Sequence, residues 1–327
     1  MKLFLYCFRD FDEKVHFEAL QKEYDFTYRV TEAYPDMANA SLAEGFEAIS
    51  VTPTRLDRAL LERFRALGVR YILNRSIGVD HVDLQAAREL GLRVACVSYE
   101  PQAVANYAIM LMLMSLRKIL HILERSALGD FGLKGKLGRD ISSCTVGVIG
   151  TGRIGETVIR HLQPFGCRIL AYSSRENPAL ANLCEYVELE TLYRQSEVIS
   201  LHLPLNDSSF HLLNNLAFAQ MRQGVIIINT ARGALIDTDD LIVALAEGKV
   251  GGAALDVLEH EEELYSSNRV GDDIANRQLT RLRAFPNVTL SSHTAFYTDE
   301  VVRSMAEKTV RNLFDLKNGR ENPLLII

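Results

Sequence analysis

The chain has 327 residues, which corresponds to about two domains at ~150 residues each. Its composition, 48% hydrophobic and 24% charged, is that of an ordinary globular protein and excludes a disordered, collagen-like or low-complexity chain. Lysine and arginine total 36 and aspartate and glutamate total 42, so the net charge is −6. A mildly acidic chain offers no electrostatic reason to bind nucleic acid or an anionic membrane.

The apolar runs and the cysteines indicate the cellular compartment of the protein. The run at 3–8 is shorter than the core of a signal peptide, and the run at 108–116 is far below the ~20 residues that span a bilayer. The five cysteines are widely spaced and form no C-x-x-C pair. We therefore expect reduced thiols in a cytoplasmic protein, with neither disulfides nor a metal site.

In the first 100 residues, short apolar runs alternate with amphipathic ones. Predicted strands lie at 2–7, 48–51, 71–74 and 93–97, and predicted helices at 12–24, 56–66 and 84–90. Strands separated by helices predict βαβ units and a parallel sheet. After Pro101, a segment rich in Ala, Leu and Met at 104–122 predicts one long buried helix.

A second series of strands and helices starts near Thr145. Its predicted strands lie at 145–149, 168–172, 198–203, 225–229, 252–257 and 287–290. A final helix at 298–317 ends at Asn318-Gly319, a pair typical of a helix C-terminus. The segment at 129–140, between the two series, is the most polar and Gly-rich connection.

The first chemical signal is a glycine-rich turn, Gly150-Thr151-Gly152-Arg153-Ile154-Gly155, which fits G-x-G-x-x-G. That pattern is weak alone, but here it follows the strand TVGVI and opens the amphipathic helix 154–162. In this context the glycines allow a tight turn, close approach of a pyrophosphate and close packing of helix on strand. The sequence therefore predicts a dinucleotide site at a helix N-terminus.

The next strand bears on the choice of dinucleotide. An NAD site usually has Asp or Glu at the end of this strand, where it binds the ribose 2′-OH. Here the strand ends at Tyr172 and is followed by Ser173, Ser174 and Arg175. Hydroxyls and a guanidinium suit a 2′-phosphate, so the sequence favours NADPH. The alternative is that the two serines only shape a loop and that NAD is held elsewhere.

Charged side chains follow three successive strands of the second series. Arg232 follows 225–229, the acidic run Glu259–Glu263 follows 252–257, and His293 follows 287–290. Ligands of open α/β sheets bind beyond the carboxyl ends of the strands, so these groups can share one pocket. Arg binds a carboxylate and polarises a carbonyl, His donates a proton near neutral pH, and a nearby Glu raises the pKa of that His.

Each of these residues also has an alternative, non-catalytic interpretation. Arg232 precedes a glycine and could cap a turn, and His293 could be an ordinary loop histidine. The acidic run could be only a solvated face, and spacing alone does not say which of Glu259, Glu261, Glu262 and Glu263 is functional.

Taken together, these residues resemble the D-isomer-specific 2-hydroxyacid dehydrogenases over nearly the whole chain. The matching stretches are RSIGVDHVD (75–83), YEPQAVANYA (99–108), VGVIGTGRIG (146–155), HLPLN (202–206), INTARGALIDT (228–238), GGAALDVLEHEEE (251–263) and HTAFYT (293–298). The last stretch and the acidic run are typical of the D-lactate and D-2-hydroxyisocaproate branch. Within it, the chain resembles the D-lactate dehydrogenases of vancomycin resistance.

The resemblance assigns roles residue by residue. It implies that Arg232, Glu261 and His293 are catalytic, with Glu261 chosen because it lies five residues after Asp256. Residues implied at the substrate are Ser76, Ile77 and Gly78, through their backbone, and Tyr99 and Phe296. Residues implied at the cofactor are Val104, Gly150, Gly152, Arg153, Ile154, Gly155, Ser173, Ser174, Arg175, His202, Leu203, Pro204, Thr230, Ala231 and Asp256.

The resemblance also implies the architecture. We expect two doubly wound parallel-sheet α/β domains with a cleft between them, in a homodimer. A Rossmann dinucleotide-binding domain would occupy 100–296, and a smaller flavodoxin-like substrate domain would be built from 1–99 and 297–327. Two positions depart from the family pattern: Ser173 replaces the Asp common in NAD-using members, and Asn106 replaces an acidic residue with little expected effect.

The implied activity is NAD(P)H-dependent reduction of pyruvate, or a similar small 2-oxo acid, to the D-2-hydroxy acid. One alternative is a D-2-hydroxyisocaproate dehydrogenase, which reduces branched-chain 2-oxo acids. Another is a non-catalytic, nucleotide-sensing corepressor on the same fold, which the absence of a disordered interaction tail disfavours.

Overall fold

A computed structural model describes residues 1–261, 264–265 and 268–327. The chain forms two compact units, one built from 1–100 and 297–327 and the other from 101–296. The predicted domain division differs from this one by a single residue at the first crossing. Glu262 and Glu263, two candidates of the acidic run, lie outside the described residues.

The first unit contains a parallel sheet. Its strands are β1 (Lys2–Leu5), β2 (Thr27–Val30), β3 (Ala48–Val51), β4 (Tyr71–Asn74) and β5 (Arg93–Ala95). Its helices are α1 (Lys14–Leu20), α2 (Arg58–Ala66), α3 (Leu84–Glu89) and, from the later segment, α11 (Asp299–Lys317). The strand order β2-β1-β3-β4-β5 is the flavodoxin-like doubly wound order.

Both faces of this sheet are covered. Along β1, Phe4 belongs to one apolar cluster, whereas Leu3 and Leu5 belong to the other, as the alternation of a strand requires. The second cluster also contains Val310 and Leu313 of α11, so the late segment supplies part of the core of the N-terminal unit.

The second unit contains a longer parallel sheet. Its strands are β6 (Thr145–Ile149), β7 (Arg168–Tyr172), β8 (Glu185–Tyr186), β9 (Val198–Leu201), β10 (Val225–Asn229), β11 (Val250–Leu255) and β12 (Val288–Leu290). Its helices are α4 (Gln102–Leu116), α5 (Ile119–Ala127), α6 (Arg153–Leu162), α7 (Leu189–Gln195), α8 (Asn215–Gln220), α9 (Thr238–Ala246) and α10 (Arg277–Arg283).

The order of this sheet is β8-β7-β6-β9-β10-β11-β12, so the strand sequence reverses between β6 and β9. That is the Rossmann order with one further strand. Ile227 packs into one apolar cluster and its neighbours Ile226 and Ile228 into the other, which explains why β10 is apolar throughout. The predicted fold class, two doubly wound parallel sheets, is confirmed.

The prediction of one long helix at 104–122 is wrong. The segment forms α4 and α5, which are bent by 61°, with Lys118 in the left-handed region at φ 53°. The carbonyl of Leu116 accepts a hydrogen bond from Arg139 N at 2.9 Å, so the returning chain satisfies the end of α4. Among the described residues no single helix can cross a membrane; the bent pair reaches the required length and composition only as a pair.

Candidate active site

The candidate catalytic residues follow three neighbouring strands. In the sheet, β10 pairs with β11 and β11 with β12, all parallel, with Asn229 opposite Leu255 and Leu255 opposite Leu290. The loops that follow therefore leave the same edge of the sheet side by side. They carry Arg232, Glu261 and His293.

Glu261 and His293 form a close pair. Nδ1 of His293 lies 2.5 Å from Oε1 of Glu261, and Oε2 of Glu261 accepts a hydrogen bond from Leu258 N at 2.7 Å. Because a carboxylate faces Nδ1, that nitrogen carries the proton and Nε2 is the atom that can exchange one. The side chain of His293 is 28% exposed, so its ring is covered but reachable.

Asp256 fixes the loop that carries His293. Its buried carboxylate accepts hydrogen bonds from Ser291 Oγ at 2.6 Å, Thr294 N at 3.0 Å and Ala295 N at 2.8 Å. Its carbonyl accepts from His293 N at 2.7 Å. His293 is held at φ 55°, a left-handed conformation that is costly for a residue with a Cβ and persists only where the surroundings enforce it.

The turn that carries Arg232 is fixed in a similar way. Buried Asn229, the last residue of β10, donates from Nδ2 to the carbonyl of Arg232 at 2.8 Å and accepts from Ala231 N at 3.0 Å. A Cβ on Gly233 would lie 2.0 Å from the carbonyl carbon of Leu258, so only glycine lets this turn pack on the backbone before Glu261.

Glu259, another candidate of the acidic run, has a different partner. Its Oε1 lies 2.7 Å from Nε2 of His211, and its Oε2 accepts from Thr238 N at 2.9 Å. The other ring nitrogen of His211 lies 3.3 Å from Asp237, and His211 N donates to Ala234 O at 2.8 Å. We call His211, Asp237 and Glu259 the His211 cluster; it joins the loop before α8, the turn after Arg232 and the loop before Glu261.

The glycine-rich turn has the geometry of an anion site. Gly150 has φ +95°, and a Cβ there would lie 2.5 Å from His202 O, whereas a Cβ on Gly155 would lie 1.9 Å from Gly150 O. A Cβ on Gly152 would meet nothing within 4 Å. Gly152 is the N-cap residue of α6 and supplies no side-chain cap, so the first N–H groups at the positive end of this helix border open space. A dinucleotide pyrophosphate fits this turn.

Other predicted cofactor residues surround the turn. Gly150 N donates to Tyr172 O at 2.8 Å, which brings the end of β7, and with it Ser173, beside the turn. Ser174 and Arg175 are exposed, and so are Arg153 and Pro204. Oγ1 of Thr230 is buried and has no hydrogen-bond partner among the described residues, an unpaired polar atom that a cofactor could satisfy. Val104, in the first turn of α4, is buried.

His202 follows β9. Although its ring keeps some exposure to solvent, burial lowers its pKa to about 4. It is therefore neutral at pH 7, with Nε2 placed 2.9 Å from Ser200 Oγ.

The predicted carboxylate-binding segment lies in the first unit, directly after β4. Oγ of Ser76 donates to Gly78 O at 2.7 Å and shapes the turn. In the described chain, the backbone N–H groups of Ser76, Ile77 and Gly78 donate to no other residue. Successive unpaired N–H groups suit a carboxylate. Tyr99 lies later in the same unit and is partly buried, whereas Phe296 lies in the second unit, with its ring centroid 6.1 Å from that of His293.

Comparison with known proteins identifies the family. Residues 109–295, more than half of the chain, match the model of the D-isomer-specific 2-hydroxyacid dehydrogenase NAD-binding domain. The chain belongs to this family. It is therefore an NAD-dependent dehydrogenase of D-2-hydroxy acids. The predicted family and reaction class are confirmed, whereas the sequence had favoured NADPH as the cofactor.

Three relatives show how far the similarity extends. The D-specific alpha-keto acid dehydrogenase of Enterococcus faecium is 38% identical over 95% of this chain and 96% of its own. The aromatic 2-oxoacid reductase of Clostridium sporogenes is 38% identical over 98% of each chain. The apo-structure of D-lactate dehydrogenase from Escherichia coli has a TM-score of 0.88 at 37% identity and covers both chains completely. Equal similarity to differently named enzymes leaves the substrate to be proposed from the site.

Several residues that shape the site of this dehydrogenase were not predicted as such. Asn229 and Gly233 shape the backbone of the Arg232 turn, and His211 binds the carboxylates of Asp237 and Glu259. Asp256 was predicted only at the cofactor, and its hydrogen bonds to 291–295 add a role within the protein. The one sequence signal was that Asn229 and Gly233 flank Arg232 inside INTARGALIDT.

Proposed function

We propose that this dehydrogenase reduces pyruvate, or a similarly small 2-oxo acid, to the D-2-hydroxy acid, with Arg232, Glu261 and His293 as its catalytic residues. The observation that carries the proposal is the 2.5 Å contact between His293 Nδ1 and Glu261 Oε1, beside the loop that bears Arg232. A proton donor whose tautomer is fixed by a carboxylate, on a loop that leaves the same sheet edge as the loop of Arg232, suits reduction of a carbonyl beside a carboxylate.

The roles of the side chains follow from their chemistry. A nicotinamide dinucleotide, when bound, supplies the hydride for C2 of the 2-oxo acid. Arg232 binds the carboxylate and polarises the carbonyl through its planar fork of donors. His293 delivers the proton from Nε2 to the carbonyl oxygen, and Glu261 stabilises the positive charge that the imidazole carries beforehand.

We assign the backbone N–H groups of Ser76, Ile77 and Gly78 to the substrate carboxylate, supported by their lack of partners in the described chain. We assign Tyr99 and Phe296 to the substrate side chain. For Phe296, the support is its edge-to-face contact with the ring of His293. An aromatic ring next to the proton donor favours a short substrate side chain over a branched one.

The test is a comparison of kcat/KM for pyruvate, 4-methyl-2-oxopentanoate and phenylpyruvate, with chiral analysis of the product. We expect pyruvate to give the highest value and the product to be the D isomer. A higher value for the branched or aromatic acid would overturn the choice of substrate. Failure to oxidise the reduced cofactor with any 2-oxo acid would overturn the catalytic role itself and favour the corepressor alternative.

We propose further that the enzyme accepts NADPH and prefers it to NADH. The support is that Ser173 stands where a carboxylate would repel a 2′-phosphate, and that Arg175 is exposed two residues later. The ratio of kcat/KM for NADPH to that for NADH should exceed one. A strong preference for NADH would overturn this assignment while leaving the reaction unchanged.

We also propose a homodimer that works in the cytoplasm with its five thiols reduced. None of the residues of α5 is fully buried, and Leu123, Leu128, Phe131, Leu133 and Leu137 are 61–87% exposed. We call these five side chains the α5 patch. An apolar patch of this kind marks an interaction surface. Charges of both signs accompany the patch: Arg125 is paired with Asp130 at 2.9 Å, and Glu124 and Lys134 lie nearby in the sequence. No single sign of charge therefore opposes pairing of the patch with itself about a two-fold axis.

A further inference from the structure

Tyr186 joins two parts of the cofactor-binding unit that are far apart in sequence. It lies on the edge strand β8, where it is paired with Ala171 of β7. Its hydroxyl donates to Thr151 Oγ1 at 3.0 Å and accepts from Asn177 N at 2.8 Å. Thr151 is the second residue of the glycine-rich turn and is 5% exposed. Neither the family motifs nor the catalytic argument assigns a role to Tyr186.

Asn177 is held through its side chain as well. Its Nδ2 donates to Glu156 Oε2 at 2.9 Å, and its Oδ1 accepts from Ala179 N at 3.1 Å. Glu156 lies in the first turn of α6 and is fixed by an ion pair with Arg160 at 2.8 Å. Asn177 is therefore held by the start of α6 directly and by the glycine-rich turn through Tyr186.

The loop between these contacts is the one that we assign to the adenosine ribose. At its start, Tyr172 O accepts from Gly150 N, and at its end Asn177 is bound by Tyr186 and Glu156. Ser173, Ser174 and Arg175 lie between two fixed points: Tyr172, which is bound to the glycine-rich turn, and Asn177, which is bound to α6 directly and to the turn through Tyr186.

We propose that Tyr186 is a positioning residue for cofactor selection: its hydroxyl fixes the 173–177 loop relative to the glycine-rich turn and so sets the fit of the adenosine end of the dinucleotide. The inference rests on the proposed contacts of Ser173, Ser174 and Arg175 with the cofactor. Without the hydroxyl, Asn177 N and Thr151 Oγ1 lose their shared partner, and the loop is held less firmly at one end.

The test is Tyr186→Phe, with dissociation constants for NADH, NADPH and ADP-ribose measured by calorimetry on the full chain. The loss of about one net hydrogen bond predicts a rise of roughly fivefold or more in each constant, largest for NADPH. Turnover with reduced nicotinamide mononucleotide, which lacks the adenosine half, should stay within about twofold. A general structural defect would reduce that turnover as well.

Tyr193→Phe is the matched control, because the hydroxyl of Tyr193 is buried and has no hydrogen-bond partner among the described residues. It should leave all three constants unchanged. Thr151→Val should reproduce the effect of Tyr186→Phe, and the double variant should bind no more weakly than either single one.

The outcomes separate this inference from the proposed function. If Arg175→Ala weakens NADPH binding but Tyr186→Phe does not, the positioning role of Tyr186 is wrong and the cofactor contact stands. If Arg175→Ala leaves NADPH affinity unchanged, the proposed cofactor contact is itself wrong. Equal losses with the dinucleotides and with the mononucleotide would show that Tyr186 acts on the whole unit.

Discussion

At the scale of single residues, His293 is the group whose removal should be most damaging. Its Nδ1 faces Glu261 at 2.5 Å, which leaves Nε2 to deliver the proton. General acid catalysis contributes about 10²–10⁴-fold to a rate. We therefore expect His293→Gln to lower kcat for pyruvate reduction by at least ~10²-fold at pH 7 and to change the affinity for NADH little. Steady-state kinetics and calorimetry measure the two effects; near-normal turnover would rule out this role.

The acidic run provides an internal comparison of two glutamates. Glu261→Gln keeps a hydrogen-bond acceptor for His293 but removes the charge, so kcat should fall by at least about tenfold. Glu259→Gln carries the same change two residues earlier, where the partner is His211. It should leave kcat within about threefold, because this change touches no reacting group. Similar losses in the two variants would contradict the assignment of Glu261 alone to the proton donor.

His202 gives a prediction for the dependence of stability on pH. Burial lowers its pKa in the folded protein to about 4, from an ordinary value of 6.5. As the pH falls below 6.5, the unfolded chain binds a proton at this residue and the folded protein does not, so stability is lost down to about pH 4. Lowering the pH from 7 to 4.5 should therefore reduce the Tm of His202→Asn by roughly 3 °C less than it reduces the Tm of the wild type, both measured without cofactor. Parallel melting curves would contradict this.

At the scale of elements, the His211 cluster joins three loops that approach the site. Replacing His211 by Ala leaves Glu259 without its partner at 2.7 Å and removes the contact with Asp237. The free energy of unfolding should fall by about 1–3 kcal/mol, the usual cost of removing one partner of a hydrogen bond to a charged group, although Glu259 keeps its bond from Thr238 N. Urea denaturation measures this loss, and His16→Ala, a replacement at a partly exposed residue of α1, is the control. An unchanged midpoint for His211→Ala would show that the loops are held by other contacts.

Whether a helix or strand could be predicted depends on whether local sequence pattern or distant contacts determine it. β3, β4, β6, β7 and β10 have the predicted bounds, because strands covered on both faces read as apolar runs. β2 and β8 lie at the edges of their sheets and were missed, since β2 is mostly exposed and β8 has only two residues. The break after α4 depends on the hydrogen bond from Arg139, more than 20 residues later, which no local pattern contains.

In the candidate site, too, local pattern could be predicted from the sequence and tertiary contacts could not. The residue types of Arg232 and His293 and their places after strands could be predicted from the sequence, because parallel strands end at one edge of a sheet. The choice of Glu261 within the acidic run depended on the family resemblance, and the structure adds the contact with His293. The φ of 55° at His293, and the hydrogen bonds to Asp256 that enforce it, arise from tertiary packing that spacing does not encode.

At the scale of the whole molecule, the chain builds its units from three segments. The first unit combines residues 1–100 with 297–327, so α11 packs against strands that the chain formed 200 or more residues earlier. Leu324 and Ile327 accept hydrogen bonds from Cys96 and Val94 beside β5, so the edge of this sheet is covered. The connection at 129–140 was expected to be a polar, Gly-rich loop. In the structure it nevertheless exposes three large apolar side chains.

Those side chains lead to the prediction for assembly. If the α5 patch pairs with itself, Phe131 and Leu133 become buried, and each contributes about 1.5–3 kcal/mol of apolar burial. Each substitution acts twice in a two-fold dimer, so Phe131→Asp with Leu133→Asp should weaken dimerisation by more than ~100-fold. Light scattering on a size-exclusion column should then report one chain of 36.7 kDa, against two for the wild type. Leu216→Asp, at a 71% exposed residue outside the patch, should stay dimeric. A monomeric wild type, or a dimeric double variant, would exclude the α5 patch as the interface.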